Sequence, residues 1–147
     1  MDNETKEVSF ALVKITTEQF ATIESNYRED GDFKLQVNFR FGADKASRIV
    51  AVFSNFIFEC NEKPFLVVEV GCHFVIKPES WEKQLNKAQN TLVVPVGLVQ
   101  HLAVLTVGTT RGVLHAKTEN TSFNKFFLPT VNVAEILVND QKFLFAE

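Results

Sequence analysis

Nine consecutive residues constrain this chain more than any other feature. From Phe33 to Phe41, apolar Phe33, Leu35, Val37, Phe39 and Phe41 alternate with polar Lys34, Gln36, Asn38 and Arg40. Successive side chains on a strand point to opposite faces, so the run predicts a β-strand with one face on a core and one in water. Gly42-Ala43-Asp44 then turns the chain.

The next two apolar runs extend the sheet. Arg48 to Cys60 carries Ile49, Ala51, Phe53 and Ile57 on one face and Val50, Val52, Phe56 and Phe58 on the other. A strand apolar on both faces is central or lies under a partner. Asn61 to Pro64 reads as a hairpin loop that sets Cys60 near Phe65, and Phe65 to Ile76 as the following strand. Its even face is apolar throughout, while its odd face includes Glu69, Gly71 and His73. Val8 to Ile15 supplies the first strand. Thr16 to Asp32 shows no clean period and reads as a long ordered connection holding Phe20, Ile23 and Tyr27.

The second half turns helical. Pro78 opens a short amphipathic helix over Glu79 to Ala88, with Trp81 and Leu85 one turn apart. Pro95, at the N1 position, starts a long helix extending to about Glu119, because a proline there lacks an N–H that has no partner anyway. Leu98, Leu102, Leu105 and Thr109 form one stripe, and Val104, Gly108, Gly112 and Ala116 a second stripe of mostly small residues. Each interior glycine costs about 1 kcal/mol relative to alanine. Close approach of another backbone, or a kink near Gly108–Gly112, would explain them. A last helix starts near Asn132 and carries Val133, Ile136 and Leu137. Strands first and helices after define an α+β class, a four-stranded antiparallel sheet with a long helix and a short C-terminal helix on one side.

Composition places the 147 residues in a single globular domain, 1–147, with 1–7 a frayed tail. Apolar residues make up 46% and charged residues 22%, which excludes a disordered chain. There are 15 Phe against one Trp and one Tyr. That surplus fits either a Phe-rich core or apolar surface at a subunit contact or ligand groove. A net charge of −3 without a long basic run argues against nucleic acid, whose binding rests on neutralising phosphates. The polar start lacks the pattern of a signal peptide, and the apolar run Leu92 to Val107 is too short for a membrane span. These features predict a cytoplasmic protein.

Catalytic signatures are missing. No nucleophile elbow, phosphate loop or paired-histidine zinc motif occurs. Gly108-Thr109-Thr110-Arg111-Gly112 resembles a phosphate loop but sits inside a helical pattern. His101 and His115 are too far apart on one helix to share a metal, and His73 points away from Cys72. Cys60 and Cys72 read as small buried hydrophobes. Glu59 and Glu69 read as strand-edge charges. No metal or cofactor is expected.

Several strings resemble the SecB family of export chaperones. Phe10-Ala11-Leu12-Val13-Lys14-Ile15-Thr16-Thr17 is similar to its opening strand and Thr16–Asp32 to its crossover loop. Phe65-Leu66-Val67-Val68-Glu69-Val70, with Gly71 and then Phe74-Val75-Ile76, is similar to its fourth strand. Leu92-Val93-Val94-Pro95 resembles the start of its long helix. Arg111-Gly112 and Leu128-Pro129-Thr130-Val131-Asn132-Val133 resemble that helix's end and the approach to the last one.

The resemblance implies a homotetramer that binds unfolded polypeptide clients without ATP, and the SecA translocase motor as a partner. Phe20, Ile23 and Tyr27 would form one wall of a peptide-binding groove, and Phe126, Phe127 and Leu128 the other. Val104, Gly108, Gly112 and Ala116 would lie at the oligomer interface, and Glu69 on a motor-docking face. An alternative is a SecB-like protein with one dedicated partner, such as a member of a toxin–antitoxin pair. A further alternative is an enzyme or small-molecule binder using His101 or Glu69 as an acid–base group.

Overall fold

The structure is a computed structural model that describes residues 9–146. The expected tail at 1–7 and Val8 lie outside the described residues. The elements, in order, are β1 (Phe10–Thr22), β2 (Phe33–Asp44), β3 (Ile49–Cys60), β4 (Lys63–Ile76), α1 (Pro78–Gln84), β5 (Leu85–Asn86), β6 (Thr91–Val94), α2 (Val96–Thr118), α3 (Val133–Ile136) and β7 (Gln141–Leu144). The fold is α+β. Its main sheet has four antiparallel strands in the order β1-β4-β3-β2.

Strands β2, β3 and β4 form a meander. Asn61 and Glu62, at φ 50° and 69°, make the β3–β4 connection a two-residue turn, the left-handed type that suits strand twist. Cys60 therefore pairs with Lys63 and not near Phe65. On one face, Val50, Val52, Phe56 and Phe58 of β3 join Leu66, Val68, Val70, Phe74 and Ile76 of β4. Helix α2 covers them with Val99, Leu102, Ala103, Val107 and Leu114. Each such side chain contributes roughly 1.5–3 kcal/mol by leaving water. Cys60 and Cys72 are unpaired and buried in the same layer.

The first strand departs from expectation. β1 continues to Thr22, pairing Thr16 with Gly71, Phe20 with Val68 and Thr22 with Leu66. The long connection therefore shrinks to residues 23–32. Register shifts between Leu12 and Lys14 and between Thr17 and Gln19 insert Val13 and Glu18 as extra residues. Each inserted residue flips the alternation, which erases the period-2 signal in the sequence. The connection runs from one sheet edge to the other, past the β3–β4 turn. It is held there by Ile23 N–H to Phe65 O (2.8 Å), Asn26 Nδ2 to Pro64 O (2.8 Å) and Asn61 N–H to Asp32 O (2.9 Å).

The helices also differ. α1 ends at Gln84 because Leu85 turns extended and pairs with Leu92. The helix expected to Ala88 is thus cut short by a second sheet, ordered β5-β6-β7, that sequence reading did not anticipate. α2 begins one residue after Pro95, its N-cap, and runs unbroken through Gly108 and Gly112, so no break occurs there. Its buried stripe is Val99, Leu102, Ala103, Thr106, Val107, Thr110, Leu114 and Thr118. Of the expected stripe only Leu102 is fully buried; Leu98 and Thr109 are half-buried and Leu105 is exposed. Threonines can face the core because Thr106, Thr110 and Thr118 each donate to the carbonyl four residues back at 2.8 Å. Thr110 also meets buried Ser54 of β3. α3 is one turn, with Asn132 as N-cap and Leu137 at its end.

Candidate functional site

Aromatic side chains converge where the 23–32 connection meets the segment after α2. The Tyr27 ring lies 5.3 Å from Phe65, 5.5 Å from Phe123, and 5.9 Å from both Phe33 and Phe126. Phe126 in turn stands 5.0 Å from Phe65, 5.8 Å from Phe58 and 6.0 Å from Phe33. These edge-on and tilted contacts suit the ring quadrupole. Phe65 and Phe123 form a buried floor, Tyr27 and Phe126 a half-buried rim, and Phe33 is 42% exposed. The Lys125 ammonium sits 5.3 Å from the Tyr27 ring and 5.7 Å from that of Phe126. The rim therefore presents ring faces that already attract a cation.

Local chemistry explains why the rings meet. α2 ends at Thr118, and Asn120 takes a left-handed conformation at φ 62°. Thr121 then caps a short 3-10 turn, Ser122–Lys125, accepting from Phe123 N–H. That turn sends Phe123 inward and leaves Phe126 beside it, on the side from which Tyr27 approaches.

The six expected groove residues separate in space. Tyr27 and Phe126 come together, and Ile23 is half-buried, with its N–H bonded to Phe65 O. Phe20 packs against the core from β1. Leu128 is buried. Phe127 turns outward, 60% exposed, with its ring stacked 6.5 Å from His115. Phe33, Phe58, Phe65 and Phe123 complete the cluster and were not singled out from sequence. Phe33, Phe58 and Phe65 sit in ordinary apolar strand patterns, and Phe123 is a lone aromatic in a polar turn, so periodicity could not distinguish them.

The small-residue stripe faces outward. Val104 is 53% exposed, and Gly108, Gly112 and Ala116 are exposed beside it. Among the described residues, a Cβ at Gly108 or Gly112 would meet nothing within 4 Å, so none of them requires glycine there.

The other sheet face, away from α2, carries a charge network. Arg40 bridges Glu69 at 3.0 Å and Glu18 at 3.3 Å, with its guanidinium 3.7 Å from the Phe53 ring centroid. The hydrogen bond to Glu69 raises the Arg40 pKa further. Glu69 is thus already paired within the chain, and Glu59 accepts from Gln36. His73 sits against Thr16 and Phe53. Burial, and then Lys14, lower its pKa, while Glu18 opposes them. His101 packs on Phe10 and His115 pairs with Glu119.

Among the described residues, no group of three His, Cys, Asp or Glu side chains is placed to hold a metal ion. Among the same residues, no helix is long and apolar enough to cross a membrane. No protein-family model matches the chain, and no curated protein matches its sequence.

Proposed function

We infer that the protein is an ATP-independent holdase, SecB-like in fold, that holds unfolded polypeptide on the aromatic surface of Tyr27, Phe33 and Phe126. One observation carries this reading: the aromatic cluster is closed beneath by Phe65 and Phe123 but open to solvent at its rim. Apolar contact is non-directional, so such a rim accepts many sequences. Phe33 also opens β2, and among the described residues no strand of the main sheet pairs with its outer edge. An extended client can add main-chain hydrogen bonds along that edge. In the same reading, the outward stripe of α2 joins copies of the chain.

The test is light scattering of a chemically unfolded protein diluted into buffer without nucleotide. The wild-type chain suppresses aggregation near equimolar ratio, and Phe33→Ser loses that effect while keeping its fold. Equal suppression by wild type and Phe33→Ser overturns the site, and no suppression by wild type overturns the function.

A further inference from the structure

Two clefts of about 280 and 560 Å³ adjoin on one flank of α2, between the helix and residues 128–134. They share Val104, Thr130, Val131 and Val133, and so form one groove away from the aromatic cluster. Gly97 lines one end and Arg111 the other. They are fourteen positions apart on the helix, roughly 21 Å at 1.5 Å per residue. That length matches roughly six residues of extended chain.

The chemistry of the groove is one-sided. Neither cleft has a carboxylate in its lining. Arg111 donates from Nε to Leu128 O (3.2 Å) and from Nη2 to Pro129 O (3.0 Å). Both acceptors are neutral carbonyls, so they aim the guanidinium without neutralising it. Among the described residues, no carboxylate stands within ion-pair distance of Arg111. A guanidinium has five donors, and a carboxylate is its best-matched partner. Among the described residues, the N–H groups of Thr130, Val131 and Asn132, on the wall opposite α2, make no backbone hydrogen bond.

We propose that this groove binds an extended polypeptide segment of about six residues, with apolar side chains against Val131 and Val133 and an Asp or Glu carboxylate on Arg111. Positive charge at one end of a groove with no carboxylate in its lining selects acidic over basic segments. The groove shares no residue with the aromatic rim, so the two sites act separately.

Fluorescence polarisation tests this with two dye-labelled hexapeptides of alternating Leu and Ser that differ only in a terminal Asp or Lys. The Asp peptide should bind at least about tenfold more tightly, the ratio that one charge-assisted hydrogen bond supplies. Arg111→Gln should erase the difference and Arg111→Lys keep most of it. Val131→Glu, which leaves the Arg111 carbonyl contacts intact, should weaken the Asp peptide without changing native mass. Phe33→Ser should leave both affinities alone, which separates this site from the holdase surface. The proposal is overturned by equal affinity for the two peptides, by binding of neither, or by a change in native mass on Val131→Glu, which would show a second copy filling the groove.

Discussion

The Phe53 ring occupies the space that a side chain at Gly71 would need. A Cβ at Gly71 would stand 2.5 Å from ring carbon Cε1 of Phe53 and 2.8 Å from Thr16 Oγ1. Phe53 has little room to yield, because it is buried and the Arg40 guanidinium stacks over it.

Gly71→Ala therefore destabilises the fold by about 1–3 kcal/mol, the usual cost of overpacking. Urea unfolding measures it. In a double-mutant cycle with Phe53→Ala, the cost of Gly71→Ala should fall by at least half. Strict additivity would mean that the ring is not what excludes the side chain.

His73 makes stability depend on pH. Burial and Lys14 hold its folded pKa below the ordinary 6.5, so the unfolded chain binds the proton more readily. The contribution is present above about pH 6.5 and is lost as pH falls from there toward the folded value. Melting temperature followed from pH 7.5 to 5.5, over about two units around the ordinary histidine pKa, should fall less for His73→Gln than for wild type. Parallel curves would remove His73 as a cause.

The aromatic cluster divides into floor and rim, and substitutions should divide with it. Phe65→Ala removes a fully buried ring and costs about 3–5 kcal/mol. Phe33→Ala removes a ring already 42% exposed, melts closer to wild type, and weakens client binding by about 1–2 kcal/mol. A calorimetric melt and a client titration on each variant separate the two effects. A large loss of stability in Phe33→Ala with unchanged affinity would make the rim part of the core.

Gly108→Leu and Gly112→Leu probe the outward stripe. Both positions open onto free space, so the isolated fold accommodates the larger side chain and gains up to about 1 kcal/mol of helix propensity. Native mass spectrometry should show smaller assemblies for both variants, since a leucine prevents close helix approach. Unchanged mass would place any contact between copies elsewhere.

What could be read from the sequence follows the physics of each element. β2 was legible because half-buried and exposed positions alternate along most of it, and β3 and β4 because long stretches of their faces are buried, so alternation or a double apolar face survives in the string. β1 was legible only to Ile15, because Val13 and Glu18 break its phase and it lies at the edge, where polar residues are tolerated. β5, β6 and β7 pair two to four residues each, too few for any period to register. The buried stripe of α2 was hidden by threonines that satisfy their hydroxyls within the helix. Of the site, Tyr27 and Phe126 were legible as aromatics outside regular structure. Phe65 and Phe123 joined them through the β3–β4 turn and the Thr121 cap, which are tertiary facts.

The crossing of residues 23–32 has a consequence for the order of assembly. β2, β3 and β4 close through short turns, so their contacts form locally and early. β1 must find β4 across a long loop, with Phe10 meeting Ile76 and Thr22 meeting Leu66. The entropy of closing that loop delays the pairing until β4 has already been built. During that interval the outer edge of β4, flanked by Val68, Val70 and Phe74, is an open template for any strand nearby. A nascent chain of this protein is therefore most exposed to misassembly at the one edge that its own first strand is made to cover.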